Sequence, residues 1–199
     1  KGRNQFPVDK AIAFKYMKKA ASHGNKYAIY GLSYLMIPNI SVANDFEGAE
    51  NYVKMLRIAT YFNSCYASYI LGYLYSNGFH VEKNNVISLI YLKFSADKMY
   101  PPAMLMFADQ LRKITKKRIH RNVINRQKTK SIDFLNDKIG INSINHKLSE
   151  ISVSIFHFIK DRKLAFATSL VYYMNVIQNK KSTDEQKHIA QQKLTMFKK

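Results

Sequence analysis

Apolar residues recur along this chain at helical rather than strand spacing, and they do so in paired runs. Between Val8 and Ala21, Ile12, Tyr16 and the Lys19-Ala20 pair fall at steps near four, which predicts one apolar helical face. Pro7 suits a helix start, Asp9 its cap or first turn, and Gly24 its stop. A second run, about Lys26 to Met36, carries Ala28, Leu32 and Leu35 and ends at Pro38. The pattern restarts at Asp45 with Ala49, Tyr52-Val53, Leu56 and Ala59, and Ser64 to Tyr75 is its partner. After Gly78, Asn84 leads into Val86, Ile90, Phe94 and Ala96, and Pro101-Pro102 introduces Ala103, Phe107 and Leu111. Three helix pairs are expected, at about 8–37, 45–78 and 84–111.

Laid over one another, the pairs share small residues at fixed places. Ala20-Ala21, Ile58-Ala59 and Ser95-Ala96 lie 38 and 37 residues apart, and Ala28, Ala67 and Ala103 lie 39 and 36 apart. Four residues beyond each of these alanines stands a large apolar residue followed by a small one: Leu32-Ser33, Leu71-Gly72 and Phe107-Ala108. Tyr34 and Tyr73 follow in the first two copies. Small residues let two antiparallel helices approach closely, and the aromatics fill the space between neighbouring pairs. Such a unit cannot bury its face alone and must stack. The residues expected to carry this packing are Ala20, Ala28, Leu32, Ala59, Ala67, Leu71, Gly72, Tyr73, Ala96, Ala103 and Phe107, with Tyr16, Tyr34 and Tyr91 also on packing faces.

The pattern Ala-Ala-x-x-Gly-x-x-x-Ala-x-x-x-Leu, followed by Gly72-x-x-Tyr75-x-x-Gly78-x-x-Val81, resembles the Sel-one-like repeat, a tetratricopeptide-like helix pair. The resemblance covers about residues 8–113. The first copy lacks the closing Gly-x-x-Val, and the third has Met99 at the place of the repeat glycine. The resemblance implies an all-α, short right-handed superhelix of helix pairs serving as a scaffold or adaptor, with a concave face able to hold an extended peptide. A single cysteine sets the chain apart from the family's disulfide-stapled secreted branch.

Beyond Leu111 the character changes. Arg112 to Lys130 holds nine basic residues (Arg112, Lys113, Lys116, Lys117, Arg118, Arg121, Arg126, Lys128 and Lys130) with no acid and no aromatic. Residues 112–142 are therefore read as a basic insertion. Helical periodicity resumes with Ile144, Leu148, Ile151, Ile155 and Phe158-Ile159, and the uncharged run Leu164 to Ile177 is expected to be buried all round. Residues 143–199 are read as a degenerate fourth pair, aligned on Ile159, Ala167, Val171 and Tyr173, plus a capping helix. Ser182-Thr183-Asp184-Glu185 predicts that last helix by its capping box, with Ser182 as cap and Glu185 three residues on, and the helix runs to about Phe197.

Charge sharpens this picture. The chain of 199 residues carries 32 Lys+Arg against 13 Asp+Glu, a formal net charge of +19. An excess of that size points to an anionic partner, since solubility of a small domain needs a net charge of only about 2–8. Lys/Arg side chains that neutralise phosphates release counterions and so bind without sequence preference. The nine basic residues of 112–130 are thus the candidates for RNA-phosphate contact, with a solvated loop as the bland alternative. The 14 tyrosines are better placed in packing than in base stacking.

Little else promises chemistry. The one cysteine, Cys65, excludes an internal disulfide, and none of the six histidines (His23, His80, His120, His146, His157, His188) has metal-ligand spacing. The seven glycines are scattered, so no phosphate-cradling loop is formed. The longest uncharged run, Leu164 to Ile177, is too short for a membrane span. The first residue, Lys1, is read as marking a fragment or processed form.

The expectation is a non-catalytic scaffold without metal or cofactor, in or on a ribonucleoprotein, with protein partners on its concave face. Its composition fits a mitochondrial ribosome or gene-expression factor best, with the cytoplasm as the alternative compartment. The competing reading is a pure protein-interaction adaptor or assembly factor that binds an acidic protein and no nucleic acid.

Overall fold

The computed structural model describes residues 9–23, 25, 27–28, 31–32, 46–116 and 142–196. Every regular element among them is a helix: α1 (Lys10–Ser22), α2 (Phe46–Tyr61), α3 (Cys65–Asn77), α4 (Asn85–Ala96), α5 (Pro101–Lys116), α6 (Asn142–Lys160), α7 (Arg162–Gln178) and α8 (Asp184–Thr195). The protein is all-α. It divides into two compact units, Lys1–Ala67 and Ser68–Lys199.

In the first unit Asp9 caps α1, its carboxylate accepting from the Ile12 N–H at 3.0 Å. The Asn25 side chain accepts from the N–H groups of Tyr27 and Ala28, which begins the next helical segment, and Ala28 and Leu32 are buried. Added at Gly31, a Cβ would stand 2.6 Å from the Met17 sulfur, so α1 lies tight against that segment. This contact corrects the expected packing face of α1. Tyr16 is 67% exposed and Ile12 is exposed too, while Ala13, Met17, Ala20 and Ala21 are half-buried. Two stripes at near-four-residue steps run down this helix, and the close approach at Gly31 selects the Met17 stripe. In α2, Tyr52, Val53, Leu56 and Ala59 are buried as their spacing requires, and Ser64 then caps α3 by accepting from the Ala67 N–H at 3.1 Å. Pro7, Gly24, Lys26, Ser33, Tyr34, Leu35, Met36, Pro38 and Asp45 fall outside the described residues, as does the side chain of Ala49.

In the second unit two serine hydroxyls tie α3 to α4. Ser68 Oγ donates to the Tyr91 carbonyl at 2.7 Å and Ser88 Oγ to the Gly72 carbonyl at 2.6 Å, so the two helices run antiparallel. Gly72 permits this approach: a Cβ there would lie 2.6 Å from Leu92 Cγ. Gln110 of α5 extends the polar thread, its amide donating to Ser76 and Ser88, each at 3.0 Å. Ten of the twelve residues of α4 are buried, and Asn84 caps it by accepting from the N–H groups of Val86 and Ile87. Tyr91 stacks on Tyr75 with centroids 5.9 Å apart. Tyr73, by contrast, is 39% exposed beside Phe79, because Ala67, Leu71 and Leu74 take the inward side of α3.

Helix α5 buries Ala103, Met104, Phe107, Ala108 and Leu111 and then runs past the expected boundary at Leu111 as far as Lys116. Arg and Lys are good helix formers, so a basic composition does not end a helix. Helix α6 lies on α4 and α7; of its stripe Leu148, Ile151, Ile155 and Ile159 are buried and Phe158 is half-buried, while the side chain of Ile144 lies outside the described residues.

Helices α7 and α8 correct the expected fourth pair. Asn179, just after α7, donates to the Met99 carbonyl just before α5, whereas Tyr173, earlier in α7, meets Asp109, later in α5. α7 is therefore antiparallel to α5. Along α8, Lys193 pairs with Asp109 at 3.0 Å and Met196 sits against Arg112, so α8 advances in the same direction as α5. Both pack on α5, and it is α7 with α8 that forms the next hairpin there, not α6 with α7. Ala167 and Val171, which the spacing aligns with buried positions of the earlier copies, are both exposed. The buried residues of α7 are Ala165, Ser169, Tyr173 and Val176, one stripe rather than the whole circumference. The cap of α8 also shifts by one residue. Thr183 accepts from Gln186 N, and Gln186 accepts from Thr183 N, while Ser182 is buried just outside the helix.

Candidate functional site

The basic segment enters the described structure only through the last turn of α5. Lys113 is exposed there. Arg112 is instead drawn inward, with its guanidinium 3.9 Å and 4.0 Å from the Met196 sulfur and acting on the Tyr173 hydroxyl. The side chain of Lys116 lies outside the described residues, as do Lys117, Arg118, Arg121, Arg126, Lys128 and Lys130. Helix α5 leads into this stretch and α6 receives the chain after it, both in the second unit.

Beside Arg112, the Asp109 carboxylate accepts from Tyr173 Oη at 2.6 Å and from Lys193 Nζ at 3.0 Å, joining α5, α7 and α8 at one oxygen. Burial, then the hydrogen bond to Asp109 and its negative charge, push the Tyr173 phenol well above the ordinary tyrosine value, and Arg112 opposes them. A second cluster closes the α4–α5 turn. Lys93 Nζ grips both oxygens of Asp97 at 2.8 Å, and Tyr172 Oη donates to Asp97 Oδ1 at 2.6 Å. The Tyr172 phenol is likewise raised, first by burial and then by Asp97. Its ring meets Phe107 edge-on at 5.1 Å, which holds α7 against α5.

Next to this cluster lies a groove of about 700 Å³. Ala96, Asp97 and Met99 form one wall, and Leu164, Ala167, Thr168, Val171, Tyr172 and Asn175 of α7 form the other. Met99 reaches the rim because its backbone has φ +59°, a left-handed turn fixed by the Asn179 amide on its carbonyl. The groove is apolar at the rim, where Met99, Leu164 and Val171 are all exposed. Its one carboxylate, Asp97, is already bound to Lys93 and Tyr172.

None of Asp97, Met99, Asp109, Tyr172 and Tyr173 stood out in the sequence as a group. The available signal was Leu164, Ala167 and Val171, at steps of three and four, offset from the buried stripe of the same helix. Among the described residues no cluster of three or more His, Cys, Asp or Glu side chains could hold a metal, and no helix is long and apolar enough to cross a membrane. His23 bonds the Lys19 carbonyl at 2.7 Å and His188 bonds Gln192 at 2.9 Å, each within its own helix or its end. The second unit thus carries an apolar groove along α7 and, at the end of α5, the first residues of the basic segment. No protein-family model, curated protein or solved structure matches the chain.

Proposed function

We propose that the protein is a non-catalytic helical scaffold of Sel-one-like helix pairs whose basic segment holds the phosphate backbone of RNA. One observation carries the RNA reading. Nine positive charges without a single acid stand in 112–130, in a chain of net charge +19. The stretch is bounded by α5 and α6, two helices of the same unit, so a grip on phosphates would be tied to the array at both ends. The repeat reading is supported by α3 on α4 and by α5 on α7. Both contacts are antiparallel, and the second joins the end of the α4–α5 pair to the start of α7–α8. In this reading α7 and α8 are the fourth pair of a short superhelix, and α6 travels with the insertion. The place of action that fits is a ribonucleoprotein, in the mitochondrion or, failing that, the cytoplasm.

The experiment is salt-dependent binding of an unrelated single-stranded RNA to the full chain. Lys113, Lys116, Lys117, Arg118 and Arg121 are replaced together by Glu, and Arg112 is left in place because it serves the α5–α8 contact. The expected result is loss of RNA retention with the helical circular dichroism spectrum kept, and a log K against log salt slope shallower by about one per lost phosphate contact. Unchanged retention, or none in the parent chain at low salt, overturns RNA contact and favours the pure adaptor.

A further inference from the structure

Helix α7 meets α5, α6 and α8 and buries the stripe Ala165, Ser169, Tyr173 and Val176, and the groove runs along a flank outside that stripe. Its ends are basic. At the start of α7, Lys160, Arg162 and Lys163 outnumber Asp161, whose carboxylate caps the Leu164 N–H, and Lys180 and Lys181 follow Asn179, which anchors Met99 at the opposite end; all five basic residues are exposed. From Leu164 to Asn179 an α-helix rises roughly 22 Å, about four turns. Leu164, Ala167 and Val171 form a ridge at steps of three and four, the spacing that interdigitates with a second helix.

We propose that this groove docks an amphipathic helix of a partner protein, about four turns long, whose apolar stripe is flanked by Asp or Glu at both ends. Charge chooses among occupants. A second copy of α7 would set Arg162, Lys163, Lys180 and Lys181 against their own counterparts, a like-charge arrangement that costs binding energy. A helix with acidic ends meets both basic clusters and finds the one acid of the groove, Asp97, already neutralised. The proposal rests on the scaffold reading and is independent of RNA contact.

The test uses two labelled helical peptides of about four turns with the same leucine stripe, one ended by Glu and one by Lys, titrated by anisotropy against the full chain at low salt. The Glu-ended peptide should bind at least about tenfold tighter, and Val171→Glu should weaken it by about tenfold while the circular dichroism spectrum is unchanged. Lys163→Glu, Lys180→Glu and Lys181→Glu combined should reverse the preference between the two peptides. Equal binding of both peptides, no binding of either, or full binding to the Val171→Glu variant overturns the proposal. So does a dimer that Val171→Glu converts to monomer by light scattering, because the occupant is then a second copy. The five-fold Glu variant of the basic segment separates the two readings. Peptide binding kept while RNA binding is lost supports the groove, and loss of both shows that the peptide was bound by the basic segment.

Discussion

Helices α4 and α7 look alike as strings of residues, apolar nearly all round, and the fold treats them oppositely. α4 buries ten of its twelve residues, whereas α7 buries four of seventeen. The difference lies in their neighbours. α4 has α3, α5 and α6 about it, and the serine and glycine contacts of α3 draw that neighbour in closely. α7 is held by one stripe and by two tyrosine hydroxyls, so one apolar flank faces outward. An uncharged helical run therefore reports that burial is available, not that it happens.

The sharpest break in the comparison comes from a charge placed in each helix. Leu89→Glu puts a carboxylate into the packed face of α4 and should abolish cooperative unfolding of the second unit, an uncompensated buried charge costing several kcal/mol. Val171→Glu in α7 should lower the unfolding free energy, read by urea titration, by no more than about 0.5 kcal/mol, since Val171 is 53% exposed. Equal losses in the two variants would mean that α7 is buried against something else.

Next in size is the contact that fixes α7 to α5. Phe107 is fully buried and lies edge-on to Tyr172 and Phe158, so Phe107→Ala should cost about 3–5 kcal/mol by urea titration. Tyr173→Phe leaves the ring and removes the bond to Asp109, with a loss of about 1–2 kcal/mol expected.

The same tyrosines set an alkaline limit. Tyr172 and Tyr173 are raised in the folded state, which therefore holds its phenolic protons above pH 10 when the unfolded chain has released them. The unfolded state then binds fewer protons, so stability is complete below about pH 10 and falls as pH rises beyond it. The Tyr172→Phe, Tyr173→Phe double variant should flatten that decline, read as denaturant midpoints at pH 9, 10 and 11. A slope as steep as the parent's would assign it to other groups.

The smallest effect separates two adjacent residues. Thr183→Ala should lower the melting temperature through loss of the capping box, about 1 kcal/mol, while Ser182→Ala should leave it nearly unchanged.

Local chemistry was legible where it is local. Asp9, Ser64, Asn84 and Pro101 mark helix starts in the sequence and do so in the structure. Gly72 shows itself as a packing glycine because the small residue is needed wherever the register falls. Three things were hidden, for different reasons. The end of α5 is hidden because the change in composition at Arg112 brings no change in conformation. The fourth pair is hidden because Ala167 and Val171 have the right spacing, and spacing alone does not say which flank of a helix faces inward. Only Lys193 against Asp109 and Met196 against Arg112 reveal that α8 belongs beside α5. The groove could not be seen at all, since it joins Met99 to residues more than sixty positions later through one left-handed backbone angle.

The long excursion between α5 and α7 has a consequence for synthesis. Between α3 and α4 only seven residues intervene, 78–84, but 45 residues, 117–161, must be made before α7 can begin to cover α5. At roughly 5–20 residues per second on the ribosome, Phe107 and its neighbours wait several seconds for their lid. During that interval the nascent chain displays an oily ridge followed at once by its most cationic stretch. A factor that attends this chain at birth would find both together, a pairing that the finished fold hides by covering the ridge.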